Sequence, residues 1–349
     1  MMQKTSVFLL FLMAPLLVLF LVVKGLSAAA QPLIIPTESI KNEITVLKQD
    51  TEIMGAALFQ LATTIQKQQQ VFVQQDEKIT ELAGVSSEQK QLSDDIYEQK
   101  ILKILGPARH AYLSDFTEIK IFDLDELGYK GCIAKVKLFD PTAFRVVLAR
   151  DTLGKLETTS SAAKRYNAVL AINGGGFYTE DRNGIKYAQL IGNTVIDGKL
   201  LEPFNAYPGD LFFAGINKKG QVIGTIPQRQ EDITALDPYQ GVSFVPVLLK
   251  EGKKLPITKE WQITKQPRTL IGKYANDDLI MIVVDGRQDD WSLGVTLERL
   301  QDKLLELGVK DAYNLDGGGS SVMYYNGTIL NRPSDGKERN VVNSILILR

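Results

Sequence analysis

The stretch Tyr313-Asn314-Leu315-Asp316-Gly317-Gly318-Gly319-Ser320-Ser321 is the most informative in the chain. A short apolar-leaning run ends in a carboxylate, three glycines follow, and two hydroxyls close the string. Glycine adopts positive φ without steric cost and allows close backbone approach to a ligand. The string therefore reads as a strand that delivers Asp316 to a tight loop. Exposed N–H groups in such a loop can form a nest for phosphate oxygens.

Two further runs end in the same way. Ala168–Ile172 leads into Asn173-Gly174-Gly175-Gly176-Phe177, and Leu279–Val284 leads into Asp285-Gly286-Arg287. Three strands, each ending in Asn or Asp followed by glycine, point to one shared site. Cations suited to an anion stand nearby: Arg268 after Pro267, Arg287 after Gly286, and Arg332 and Arg339 around Pro333–Glu338. The planar guanidinium fork binds phosphate through two parallel hydrogen bonds.

Around these strands the texture from Ala108 to Arg349 is that of an α+β domain built on a mixed β-sheet. Arg145–Ala149 and Ser344–Leu348 read as further strands. Val322–Tyr325 and Thr328–Leu330 flank Asn326-Gly327, the pattern of a hairpin with a primed turn. Thr296 caps a helix whose Leu297, Leu300, Leu304 and Leu307 share one face and whose end is marked by Gly308. A shorter helix is expected over Ser160–Tyr166.

The first 107 residues differ in kind. Lys4 precedes an apolar run from Val7 to Val23, broken only by Pro15, and Ala28-Ala29-Ala30 follows. Residues 1–30 read first as a single-pass signal anchor and, alternatively, as a cleaved signal peptide. Either places the remainder outside the cytoplasm, membrane-anchored or secreted. From Ile40 the chain carries a 4,3 spacing: Ile44, Leu47, Thr51, Met54, Leu58, Leu61, Ile65, Gln68, Phe72, Gln75, Ile79 and Leu82, extendable to Ile96. A seven-residue apolar repeat makes a narrow stripe that must be buried against another helix. Residues 37–103 are expected to form a coiled-coil stalk that self-associates, ended by Gly106-Pro107; the competing reading is a single helix packed on its own domain. The catalytic domain is then expected over 108–349.

Composition removes several chemistries. The chain has 349 residues, 40 Lys+Arg against 41 Asp+Glu, one His and one Cys. Near-zero net charge gives no broad surface for nucleic acid. One histidine, His110, and one cysteine, Cys132, are too few for a His/Cys zinc site, and no intrachain disulfide can form.

The motifs, taken in order, resemble those of the phosphodiester glycosidase family, the family of the enzyme that uncovers mannose 6-phosphate. The matching pieces are Ala171-Ile172-Asn173-Gly174-Gly175, Pro267-Arg268-Thr269, Val283-Val284-Asp285-Gly286-Arg287, Ser292–Leu297, Asn314–Ser321, Asn331-Arg332-Pro333-Ser334 and Glu338-Arg339. Gly176 departs from the aromatic usual after the first two glycines, and the glutamate of Thr296–Leu300 is displaced by one place. The anchor and stalk lie outside the resemblance.

The resemblance implies hydrolysis of a sugar C1–O–phosphate linkage, with no cofactor, and the location expected from residues 1–30 makes the substrate a cell-envelope or exported glycan. Such a site must bind phosphate, stabilise an oxocarbenium-like sugar and place a nucleophile or base. On that basis Asp316 is the first candidate carboxylate, with Asp285 its partner or the holder of Arg287. Arg268, Arg287, Arg339 and the Gly317–Gly319 amides, followed by Ser320 and Ser321, are the candidate phosphate cradle. Asn173, with Gly174 and Gly175, is the candidate contact to a sugar hydroxyl, and Tyr324, Tyr325 or Trp291 the candidate stacking platform. Two other readings stand beside this one. One is a metal-dependent phosphodiesterase or phosphatase using Asp285 and Asp316 with calcium or magnesium. The other is a non-catalytic polysaccharide-binding scaffold.

Overall fold

The computed structural model describes residues 86–207 and 209–349, together with short helical stretches at 18–20, 22, 54–56 and 58–68. Most of the expected anchor and much of the expected stalk lie outside the described residues. Among the described residues no helix is long and apolar enough to cross a membrane. In the stretch at 54–68, the seam residues Met54, Leu58, Leu61 and Ile65 are each about half exposed.

The chain divides into two compact units, Met1–Glu88 and Gln89–Arg349. The second unit is a sheet-rich α+β domain. Its largest sheet has eight strands in the order His110–Leu113, Thr117–Glu126, Tyr129–Leu138, Leu279–Val284, Arg268–Lys273, Asp311–Leu315, Val247–Lys250 and Lys253–Lys254. One five-stranded sheet is built around Ala168–Asn173, which pairs with Asn343–Leu348 on one side and Met323–Tyr325 on the other. The other is built around Phe212–Asn217 and Pro238–Phe244. The strand pairings among the described residues are antiparallel.

Leu279–Val284 shows how the sequence dictates the layering. Its six residues are all apolar because both faces of the sheet are covered. Leu279, Met281 and Val283 face a core shared with the five-stranded sheets, including Ile172, Phe212, Met323 and Ile345. Ile280, Ile282 and Val284 face the opposite core, closed by Leu297, Leu300 and Leu304 of helix Leu297–Glu306. The period of two along the strand and the period of 3.6 along the helix meet there. Thr296 caps that helix by accepting from Arg299 N, and Gly308 follows it at φ 78°. The hairpin turn is also as expected, with Asn326 and Gly327 both at positive φ and Tyr325 paired with Thr328.

The helix before the domain ends where the sequence says, at Leu105, with Gly106 at φ 78°. Its final turns belong to the domain itself. Ile101 is 2% exposed in the second core, with Tyr97, Leu102 and Leu105 packed beside it. Ile96, the last residue of the 4,3 seam, points outward at 51% exposure. Glu98 joins Lys120 at 2.8 Å and the buried Lys135, which also pairs with Asp278. The compact domain thus begins before Ala108. The physical reason is local: once the domain offers an apolar groove and a buried lysine, Tyr97, Glu98 and Ile101 serve it rather than a helical partner.

Candidate functional site

The ends of three strands meet at one edge of the domain. Thr269 pairs with Leu315 and Arg268 with Val284, so Arg268, Asp285 and Asp316 emerge side by side from the large sheet. From the facing sheet, Asn173 leaves its strand opposite Ser344, and Asp316 N donates to Gly174 O at 3.2 Å. The three glycine-led loops of the sequence are therefore one constellation.

Asn173 is the joint between the two sheets. It is fully buried, donates through Nδ2 to Asp316 O at 2.5 Å, and accepts at Oδ1 from Thr269 Oγ1 at 2.7 Å and Val322 N at 3.2 Å. Through these bonds it positions Asp316. Gly174 and Gly175 are scaffold too: their N–H groups donate to Asn343 O at 3.2 Å and to Asn343 Oδ1 at 2.8 Å.

Asp316 keeps a little exposure at the head of its loop. Burial pushes its carboxyl up to about 6, against the opposing pull of the Ser320 hydroxyl, Arg339 and the Gly317 N–H. The Ser320 Oγ stands close to the carboxylate without a hydrogen bond of good geometry. It and Ser321 Oγ, Asn314 Oδ1 and Asn343 Nδ2 are buried polar atoms with no partner among the described residues. A buried polar group without a partner costs about 1–3 kcal/mol, which is tolerated where a ligand or water completes it.

Two arginines lie against the glycines. A Cβ on Gly319 would stand 2.1 Å from Arg339 Nη2 and 2.6 Å from Asp335 Oδ2. Gly318, at φ 60°, lies so close to Arg287 that a Cβ would come 3.1 Å from its Nη2. Any other residue would push the guanidinium groups off the loop. The loop is less of an amide nest than its sequence suggests, because Gly318 N donates to Pro267 O at 2.9 Å and Gly317 N faces the Asp316 carboxylate. Arg339 is held by Asp335 at 3.0 Å, also against Gly319, and Arg287 by Gln266 Oε1 at 2.8 Å.

Arg268 is 4% exposed, and no carboxylate among the described residues lies within ion-pair distance of it. It donates to Thr264 O at 2.9 Å and Val295 O at 3.3 Å and lies 5.2 Å from the Trp261 ring. Burial, and then the neighbouring Arg287, push it down to about 10. Two arginines repelling each other with no acid between them is an arrangement that an anion relieves.

Asp285 is held by donors on both of its carboxylate oxygens. Its Oδ1 accepts from Asn331 Nδ2 at 3.0 Å and Arg332 N at 2.9 Å, its Oδ2 from Trp291 Nε1 at 2.8 Å, and its main-chain oxygen from Ser292 Oγ at 2.7 Å. Burial raises its pKa despite these donors. The carboxylate ties the loop after its own strand to the segment after the hairpin, and no ion pair among the described residues joins it to Arg287. Among the described residues no group of three or more His, Cys, Asp or Glu side chains is placed to hold a metal ion. Tyr324 and Tyr325 are 5% and 8% exposed, and Tyr325 stacks on His110 with ring centroids 5.3 Å apart, so both serve packing. Glu338 accepts from Ser160 N at 2.9 Å at the start of helix Thr159–Arg165.

Asn343 and Asp335 were not legible as site residues. Each is a single polar residue outside any glycine-rich string. The only signal for Asn343 is an asparagine opening an otherwise apolar strand.

Beside Arg339 lies an open cavity of 410 Å³ whose lining includes Leu156, Phe177, Thr179 and Asp335. A second cavity, of 390 Å³, lies beside Asp285, Trp291 and Arg332. The segment 331–340 lines both, with Arg332 in one and Asp335, Lys337, Glu338, Arg339 and Asn340 in the other.

Comparison with known proteins places this arrangement. A family model described as phosphodiester glycosidase matches residues 166–348, more than half of the chain. A prophage-derived uncharacterized protein of Bacillus subtilis is 32% identical over 201 residues, 55% of this chain and 29% of that protein. The N-acetylglucosamine-1-phosphodiester alpha-N-acetylglucosaminidase of Bos taurus is 27% identical over 194 residues, 51% of this chain and 35% of the enzyme. The chain thus spans about a third of the length of these relatives. Among solved structures, the zebrafish N-acetylglucosamine-1-phosphodiester alpha-N-acetylglucosaminidase catalytic domain, auto-inhibited by its pro-peptide, aligns with a TM-score of 0.54 at 25% identity, covering 69% of this chain and 86% of that one. A hypothetical protein from Synechocystis shares the fold, with a TM-score of 0.53 at 15% identity. The matched region takes in the Asn173, Arg268, Asp285, Asp316 and Arg339 loops together, and the chain belongs to the phosphodiester glycosidase family.

Proposed function

We propose that the domain hydrolyses the bond between C1 of a sugar and the phosphate of a phosphodiester. One observation carries this reading: Arg287 and Arg339 press on Gly318 and Gly319, Arg339 acts on a carboxylate raised to about 6, and Arg268, buried without an acid, neighbours Arg287. The arginines receive the phosphate, and the sugar lies toward the cavity at Phe177. Asp316, deprotonated near neutral pH, takes a proton from the attacking water. The C1–O bond breaks, the electron pair leaves with the phosphate oxygen, and water's oxygen ends on C1. A phosphate monoester is a good leaving group, so strong protonation of that oxygen is unnecessary.

The substrate is then a phosphodiester-linked glycan of the cell envelope or an exported polymer. Residues 1–30 would tether the chain to a membrane with the domain outside the cytoplasm. Residues 37–103 would self-associate through the 4,3 seam and hold the domains apart from the surface. The apolar run Val7–Val23 supports the first statement, and the exposed Met54, Leu58, Leu61 and Ile65 support the second. Release of free reducing sugar from a sugar 1-phosphodiester by the full chain tests the activity; absence of release across several sugars would remove it.

A further inference from the structure

We infer that the cavity beside Trp291 is a second binding site, one that takes an anionic sugar on the leaving-group side of the phosphodiester. This rests on the reading of the Asp316 site given above, and it narrows the substrate to a polymer or a glycoconjugate whose leaving alcohol itself carries a charged sugar.

The cavity's charges are mostly spent. Asp123 pairs with Arg109 at 3.0 Å, Asp125 with Lys130 at 2.5 Å, and Asp285 is filled by its three donors. Arg332 makes no ion pair at contact distance among the described residues, although its charge acts on Asp285. Its guanidinium lies over Trp291, with Cζ 3.7 Å from the ring centroid, and no carboxylate among the described residues reaches it within ion-pair distance. Stacking orients the fork and leaves its N–H edge for a ligand. Lys130 Nζ, already paired with Asp125, lies 5.0 Å from the same ring and lines the cavity without adding a free charge. The indole is fixed by its N–H to Asp285 at 2.8 Å. Leu124 and Leu330 supply apolar wall, and 390 Å³ falls in the range that encloses a small molecule. The chemistry is that of one negative charge, phosphate or carboxylate, on a sugar that covers the apolar wall.

The position connects the two sites. Asp285 holds Arg332 N at 2.9 Å and leaves the same sheet edge as Asp316, and segment 331–340 carries Arg332 in one cavity and Arg339 in the other. A chain with a charge on each unit would meet an arginine at each place.

The chain has two tryptophans, so full-length protein carrying Trp261→Phe reports on Trp291 alone. We would titrate it with glucose 6-phosphate, glucuronate and glucose, following tryptophan emission and, in parallel, heat by calorimetry. Saturable binding of at least one anionic sugar, about tenfold or more tighter than glucose, is expected. The stronger arm tells phosphate from carboxylate. Arg332→Gln should weaken that binding about tenfold, Arg332→Lys less, and Asp316→Asn should leave it unchanged. No saturation by either anion up to about 10 mM, or equal affinity in Arg332→Gln protein with an unaltered melting temperature, would overturn the proposal. Binding as expected in a chain that hydrolyses no sugar phosphodiester removes the Asp316 reading and leaves this site standing. Hydrolysis with no binding here does the reverse.

Discussion

Asn173 Nδ2 donates to the main-chain oxygen of Asp316 at 2.5 Å, and this bond ties the strand end of one sheet to the candidate catalytic loop of another. The same amide accepts from Thr269 and Val322. Removing it strands the Thr269 hydroxyl and the Val322 N–H in a dry interior. Asn173→Ala should therefore destabilise the domain by about 2–4 kcal/mol. Denaturant unfolding with an unchanged slope and a lowered midpoint checks it. A loss of activity with full stability would instead make Asn173 a substrate contact.

Asp316→Asn should separate chemistry from folding. The carboxamide keeps the size and loses the charge, so kcat should fall about 10²-fold or more. Stability at neutral pH should hold or rise, because a carboxylate raised by burial is a charge that folding resists. Turnover and melting temperature measured on one preparation give both. Near-normal kcat in stable protein would take Asp316 off the reaction.

The pH dependence follows from the same group. As a base, Asp316 must be deprotonated, so kcat/KM should climb as pH rises through about 6. Its folded-state value lies above its unfolded one, so its contribution to stability is fully present below the unfolded value and is lost as pH rises through about 6. The stability of Asp316→Asn relative to wild type should then improve between about pH 4 and pH 7. Denaturation at stepped pH reads the difference. A flat difference, or one of opposite sign, contradicts the burial argument.

The helix that precedes the domain is predicted to be part of its stability. Ile101→Ala should cost about 2–4 kcal/mol, and a chain starting at Ala108 should be less stable than one starting at Gln89. Thermal unfolding of the two lengths decides it. Equal melting temperatures would mean that the packing of Tyr97 and Ile101 contributes nothing.

The sequence was most legible where one physical rule acts alone. Glycine runs after Asn173, Asp285 and Asp316 marked loops, and those loops do share an edge. Thr296 and Gly308 bounded a helix, and Asn326-Gly327 made a turn, because caps and turns depend on neighbours in the chain. The roles inside the site were less legible. Asp285 looks like Asp316 in sequence, a carboxylate before glycine at a strand end. Only the fold brings Asn331, Arg332 N and Trp291 to its oxygens and turns it into a brace. The bracing bonds of Asn173 were hidden for the same reason, since Thr269 and Val322 are 96 and 149 residues away along the chain. The stalk boundary was blurred because Tyr97 and Ile101 satisfy a helical pattern and a domain core at once.

In the proposed reaction C1–O, and not P–O, is the bond that breaks. Incubating the full chain with a sugar 1-phosphodiester in water enriched in oxygen-18, followed by mass spectrometry of both products, tests it directly. The label should appear on the released sugar, with unlabelled phosphomonoester in equal amount. Label on the phosphate would assign the site to a phosphodiesterase and contradict the account.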